Sequence, residues 1–363
     1  MFNSANWRGT LESVLLAVIN VTAALVISAL VVMIVDHSPT EAIHYLVTGA
    51  FGSSEGIGFT LYYATSFILT GLAVSVALHA GLFTIGAEGQ AYIGGLGIAL
   101  VCLALDRYVP WWVTIVPALL AGSLFGMAWA AIPAYLQAKR GSHLVITTIM
   151  FNLLASSVMV YVIVNVLREP GSMSAQTRLF EAGGVIPKLG DILPIDFGAS
   201  PVNITLILAL VMAVVVWVFI YKTKLGYEFR AFGANPAAAE NAGISQMKIT
   251  MLAMFFSGAI AGMVGINIVM GELGKLVVEF AAHTGLVGLA VALMGRSHPL
   301  GIVLSALLFG ALYQGGAEVA FWMPGITKDM IVLIQGLVIF FAGALALMFQ
   351  PALRRLLRQS IPV

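Results

Sequence analysis

A single cysteine, Cys102, excludes an intrachain disulfide. Charge is equally sparse. Charged residues make up 9% of the 363-residue chain, against about a quarter in soluble domains, and a soluble surface cannot be built from so few. A formal net charge of +1 leaves no basic face for nucleic acid. The marks of catalysis are missing as well. There is no G-x-x-x-x-G-K-[ST] phosphate loop; the nearest approach, Gly274-Lys275, runs into Leu276. The six histidines (His37, His44, His79, His143, His283, His298) are scattered and include no i, i+4 pair. No G-x-S-x-G elbow occurs. The chain is therefore expected to bind no cofactor of its own. Any energy source must be an ion gradient or a partner chain.

What the chain does contain is apolar length. It is 60% hydrophobic, with a mean hydropathy of +1.02, which predicts an all-α integral membrane protein. MFNSANWRGTLE leads into an apolar run with no small-residue cleavage site after it, so the first helix is expected to be retained. Apolar runs of spanning length predict helices near 13–35, 59–79, 87–105, 111–136, 143–165, 203–221, 249–270, 277–295, 300–315 and 328–349. About ten transmembrane helices put both termini on one side. With that side cytoplasmic, eleven of the seventeen Lys and Arg fall inside and six outside, the bias expected of a multi-pass protein of the inner or plasma membrane. The first outer loop, DHSPTEAIHYLVTGAFGSSEGIG, has no Lys or Arg.

Two spans read weakly. Residues 277–295 include Glu279 and His283, and 300–315 is short. Gly295-Arg296-Ser297-His298-Pro299 breaks the chain between them, so 277–315 reads either as two full spans or as a reentrant hairpin. One transmembrane domain, 1–363, is expected, with an outer loop at 166–202 and a cytoplasmic loop at 222–248.

Several groups inside the spans ask for partners. Gly122-x-x-x-Gly126 and Gly258-x-x-x-Gly262 allow close helix approach. Asn152, Asn267, Gln314 and Gln335 each form an interhelical hydrogen bond, of about 0.6 kcal/mol, or line a polar pathway. Tyr62, Tyr63, Tyr92 and Phe151 stack on a base or sugar, or pack as ordinary membrane aromatics. GLFTIGAEGQAYIGG, residues 81–95, carries Gly81, Gly86 and Gly89 around one carboxylate. Glu88 either caps its own helix, for about 0.3–1 kcal/mol, or gates a pathway together with Gln90 and Tyr92. In the loop, RAFGANPAAAENAG spans residues 230–243. Asn235 suits the N-cap, Pro236 the first turn and Gly243 a left-handed C-cap. Two turns, roughly 10 Å, are too short to persist alone, so this helix wants a partner.

Two of these stretches resemble a family together. GLFTIGAEGQAYIGG is similar to the GLFNIGAEGQ-type signature of ABC importer permeases for nucleosides, with Thr84 where Asn is usual. LGYEFRAFGANPAAAENAGIS resembles the same group's cytoplasmic loop, and GLVGLAVALMGRSHPLGIVLSALLFGAL its C-terminal half. The broad family includes ribose and branched-chain amino-acid permeases. The resemblance runs from about 13 to 349 and is nearest the larger permease subunit of nucleoside uptake systems. It implies a type II ABC importer-like permease of ten helices. Its implied partners are ATPase subunits that carry ATP and Mg, a second and shorter permease, and a solute-binding protein, with no nucleic acid. It makes the loop between the sixth and seventh helices a coupling element for the ATPase, carried by Arg230, Gly233, Asn235, Pro236, Ala238, Ala239, Glu240 and Gly243. Glu88, Gln90, Tyr92, Asn152 and Asn267 remain the pathway or gating candidates. The implied solute is a nucleoside or related purine, with simple sugars second. An ion-coupled secondary transporter is the rival class, and it would have only Glu88 and Glu279 to titrate at depth. No residue constellation supports a membrane-embedded enzyme.

Overall fold

The computed structural model describes residues 38–337, apart from 170, 193, 195, 324, 327–329 and 335, together with Met33. The described helices are α1 (Pro39–Phe51), α2 (Ser54–His79), α3 (Ala87–Leu105), α4 (Trp111–Arg140), α5 (Leu144–Val162), α6 (Thr205–Lys222), α7 (Lys224–Ala234), α8 (Pro236–Asn241), α9 (Gln246–Gly262), α10 (Thr284–Met294) and α11 (Pro299–Trp322). Two runs of π-helix, Ile163–Leu167 and Ile266–Leu273, extend α5 and follow α9. Seven of the described helical segments are long and apolar enough to cross a membrane. Of the expected span 13–35 only Met33 is described, and most of 328–349, with Gln335, lies outside the described residues.

Contacts divide the chain into two compact units, Ser54–Gly310 and the residues on either side of it. Within the larger unit α2 and α3 are central: 83% and 72% of their apolar stretches are buried, against 17% for α5 and 28% for α6. The two small-residue motifs meet each other. A side chain at Gly126 would lie 3.1 Å from the Gly262 Cα, and one at Gly122 would lie 2.9 Å from the Gly262 carbonyl oxygen. Only backbone hydrogens fit at that contact. In the smaller unit Ala42 of α1 packs with Val319, Met323, Ile326 and Ile331, and Tyr45 stacks on Trp322 at 6.2 Å.

Three sequence expectations need correction. The stretch read as the first outer loop contains α1, started by Pro39 at its first turn and Glu41 beside the positive helix end. The expected span 277–295 shrinks to α10, eleven residues or about 16 Å, too short to cross. Residues 278–283 ahead of it are turns, with Glu279, Ala282 and His283 in left-handed backbone that no helix can carry. The expected 300–315 instead extends to Trp322 as a 24-residue helix. Gln314, Gly315, Gly316 and Glu318 dilute its apolar pattern, but Glu318 accepts a hydrogen bond from Trp322 Nε1 at 3.0 Å and the helix runs on.

The segment 166–202 is long but pinned. Gln176 bridges to Val277 and Lys188 to Asn203. Phe180 N–H donates to the Gly274 carbonyl at 2.7 Å, and Ile186 N–H donates to that of Met270 at 3.0 Å. Arg178 grips Asp106, at the end of α3, with two hydrogen bonds of 2.7 and 2.9 Å, and the Glu181 amide donates to the same carboxylate at 2.9 Å. Burial pushes the Asp106 carboxyl up. The Arg178 hydrogen bonds, the Glu181 amide and the Arg178 charge outweigh it and hold the group below the ordinary aspartate value.

Candidate functional site

The break between α2 and α3 is the centre of the site. Gly81 is left-handed, with φ of +70°, and it turns the chain out of α2. Residues 82–85 are not helical, so their backbone groups need partners that lipid cannot supply. Asn152 of α5 serves one of them and one amide in the first turn of α3. Its Nδ2 donates to the Ile85 carbonyl at 2.8 Å, and its Oδ1 accepts from the Gly89 amide at 2.9 Å. Asn152 thus holds the broken segment with both ends of its amide.

Glu88 is buried, at 6% exposure, and its carboxylate reaches across to α10. One oxygen accepts from the His283 amide at 3.0 Å and the other from the Gly285 amide at 2.7 Å. His283 gives α10 no side-chain cap, so Glu88 satisfies amides that would be orphaned. It meets the positive end of α10, a second helix, and not only that of its own. The close approach needs Gly285: a side chain there would lie 2.5 Å from the Glu88 Cα. Tyr92, one turn after Glu88, packs edge-on against Phe280 with centroids 5.5 Å apart. Gln90 is 1% exposed, and neither end of its amide has a hydrogen-bond partner among the described residues.

Asn267 sits elsewhere, in the π-helix after α9. It donates to the Tyr62 carbonyl at 3.1 Å and to Ser66 Oγ at 2.8 Å, and accepts from Asn203 at 3.0 Å. Tyr62 donates its hydroxyl to the Glu272 carboxylate, and its ring meets Tyr63 edge-on at 5.3 Å. Phe151 packs on Trp129 at 5.4 Å. Gln314 is buried in α11.

The 222–248 loop is mostly helix. Thr223 caps α7 by accepting from the Gly226 amide at 3.1 Å. Asn235 ends α7 and begins α8, where its side chain accepts from the Ala238 amide at 3.1 Å. At the far end Gly243 has φ of +84°. Its amide donates to the Glu240 carbonyl at 2.9 Å and that of Ile244 to the Ala239 carbonyl at 3.0 Å, the paired bonds of a Schellman motif. Ala239 is buried, while Pro236, Ala237, Ala238, Glu240 and Gly243 are exposed.

Gly233, expected in the coupling element, is half-buried and packs inward. Its missing side chain is filled by the turn after α2: a Cβ there would lie 2.8 Å from the Gly81 nitrogen and 3.1 Å from the Ala80 carbonyl carbon. Nearby, the Arg230 guanidinium lies 5.4 Å over the Tyr221 ring. Tyr221 in turn sits 5.6 Å from His298 and 6.0 Å from His79, ring to ring. The loop therefore touches the turn that leads to Glu88 directly, and the turn that follows α10 only through Tyr221 of α6. Neither contact was visible in sequence. The only hint was a glycine inside a helical pattern, which often marks close backbone approach.

Residues 56–343 match the family described as branched-chain amino acid transport system / permease component. The chain belongs to this permease family. Its curated relatives match it nearly end to end. The guanosine ABC transporter permease protein NupP of Bacillus subtilis is 33% identical over 92% of this chain and 94% of its own. The nucleoside ABC transporter permease protein NupB of Lactococcus lactis is 33% identical over 91% and 90%. The glucose ABC transporter permease protein TsgB13 of Haloferax volcanii is 32% identical over 89% and 85%. No solved structure matches. The chain is a multi-pass permease subunit of the plasma membrane and not itself an enzyme.

Proposed function

We propose that the chain is the larger permease subunit of an ATP-driven importer and forms half of a pathway for nucleosides or related purines. The observation that carries the coupling is α8. It is too short to persist in water, yet it is capped at both ends, exposed along most of its surface, and joined through α7 to the breaks beside Glu88. An ATPase groove would complete its fold. Pro236, Ala238, Glu240 and the Asn235 and Gly243 caps form the docking element, with Ala239 buried behind them and Arg230 at its base. ATP and Mg bind in the ATPase subunits. Differential affinity of those subunits for the two states of the permease supplies the bias.

The substrate class rests on the relatives' names. NupP and NupB are named for guanosine and nucleosides, and a second permease of each kind, NupQ and NupC, is also similar to this chain. We infer a second, shorter permease as partner and a solute-binding protein on the outer side. Ten crossings, one of them made by the turns at 278–283 and α10 together, with both termini cytoplasmic, 166–202 outside and 222–248 inside, complete the reading. The glucose permease TsgB13 keeps simple sugars as the second substrate class.

The test is uptake of labelled guanosine into proteoliposomes holding the two permeases and the ATPase, with the binding protein outside. Uptake should require ATP and ignore ionophores. Ionophore-sensitive uptake without ATP would establish the ion-coupled rival. Competition by glucose but not by adenosine would move the substrate to sugars.

A further inference from the structure

We propose that α10 is a two-position gate helix, latched at its N-terminus by the Glu88 carboxylate and moved at its C-terminal turn through His298, Tyr221 and Arg230. Four observations converge on it. Eleven residues cannot reach both membrane faces, so α10 is held by contacts and not by the bilayer. Every described non-glycine residue with positive φ flanks it: Glu279 at 60°, Ala282 at 43° and His283 at 65° before it, Arg296 at 52° and Ser297 at 55° after it. Such residues persist only where surrounding contacts impose them, and they gather at switches. Here the strain sits at both ends of one short helix.

The latch itself is separable. The bonds from the His283 and Gly285 amides end on one side chain from another helix, so releasing Glu88 frees both amides at once. Gly285 lies on the Glu88 backbone, and the Thr70 side chain of α2 seats in the notch at Gly288, so α10 would move by stepping between seats. The far end reaches the coupling loop. His298 follows α10 and packs on Tyr221, which lies under Arg230 of α7. The same helix places Gly233 on Gly81, six residues before α3 and its latch. One displacement of α7 thus acts on both ends of α10. The strain favours departure, the latch opposes it, and α7 tips the balance.

This inference rests on the ATPase-coupled reading above. The probe is a thiol at Leu286, which is 41% exposed, introduced as L286C; the native Cys102 is fully buried. The assembled transporter is labelled with a membrane-impermeant maleimide, with and without trapped ATP. In otherwise native protein the rate should change with nucleotide. E88Q keeps the shape but removes the charge and sets its NH2 donor against one of the two amides, so one bond is lost and the other weakened, and it should shift the nucleotide-free rate toward the ATP value by about tenfold. H283G relieves left-handed strain, and should hold the resting rate through ATP binding, a shift of about fivefold the other way. Opposite displacements distinguish a gate from a residue needed only for folding, which would lower assembly in both variants. If E88Q does not assemble, H283G alone still decides. A rate indifferent to nucleotide and to H283G overturns the gate, as do two variants that shift it the same way. If guanosine uptake proves independent of ATP, the coupling reading fails, while the rate difference between E88Q and H283G still reports on the latch.

Discussion

Gly233 offers the sharpest test of how α7 is tied to the turn after α2. In G233A the added carbon would meet the Gly81 nitrogen at 2.8 Å and the Ala80 carbonyl carbon at 3.1 Å. Those are backbone atoms, and they cannot swing aside as a side-chain tip would. Overpacking of this kind costs about 1–3 kcal/mol. Against it stands the better helix propensity of Ala, worth up to about 1 kcal/mol inside a helix, and less at the penultimate position of α7. The net destabilisation should be about 1 kcal/mol, relieved by lifting α7 off the turn at Gly81. The transport effect should exceed the stability effect, because the same contact transmits motion. In proteoliposomes G233A should keep most of its ATP hydrolysis and lose most of its uptake. G81A should behave alike, since residue 81 also requires φ of +70°. Thermal unfolding of the purified complex, followed by tryptophan fluorescence, measures the first quantity; uptake per ATP hydrolysed measures the second. G233A protein with native melting and native coupling would refute the idea that this contact constrains α7.

Three further outcomes follow from named contacts. D106N removes the charge that Arg178 grips; with Asp106 buried and Arg178 partly exposed, the cost should be about 2–3 kcal/mol, read as faster proteolysis of the 166–202 segment. Because the folded Asp106 carboxyl is held low, its contribution is complete above the ordinary aspartate value near pH 4 and is lost as pH falls through the lower folded value. A melting curve taken from pH 5 to pH 2.5 should therefore be flatter in D106N than in the native protein. N152A leaves the Ile85 carbonyl and the Gly89 amide unpaired, and should lower stability by about 2 kcal/mol in denaturant titration; a neutral result would mean that water replaces the side chain. Q90M removes two unsatisfied polar atoms from a buried site, so melting should be unchanged or raised by the equivalent of about 1 kcal/mol. Raised stability with lost uptake would show that Gln90 finds its partners in another state of the cycle.

Local chemistry was legible in the sequence and distant pairing was not. α3 begins and ends where its apolar run does, at Ala87 and Leu105, because glycines and a charged residue bound it. α8 could be read from Asn235, Pro236 and Gly243 because caps act within four residues. α1 was readable by the same rule, from Ser38-Pro39-Thr40-Glu41, but its amphipathic run is too short to register as a span. Glu88 marks the limit of such reading. Its first-turn position is visible, whereas its partners lie 195 and 197 residues away. A glycine such as Gly233 shows even less, since nothing in sequence says which face its missing side chain leaves open.

The polar residues of the spans follow one physical demand. At membrane depth each interruption of a helix strands backbone groups that lipid cannot satisfy. Asn152 answers the break at 82–86, Glu88 the unprotected start of α10, and Asn267 the Tyr62 carbonyl beside the π-helix. Their hydrogen-bonding capacity is largely spent on the fold. A solute moving past them would have to compete with bonds already made, at a cost of about 1–3 kcal/mol for each buried group left unpaired. Selection by these side chains would therefore work against their hold on the breaks. Under the proposed function, that conflict argues for these side chains shaping the pathway and for solute recognition by groups whose hydrogen bonds are still open, with Gln90 first among those buried beside the break.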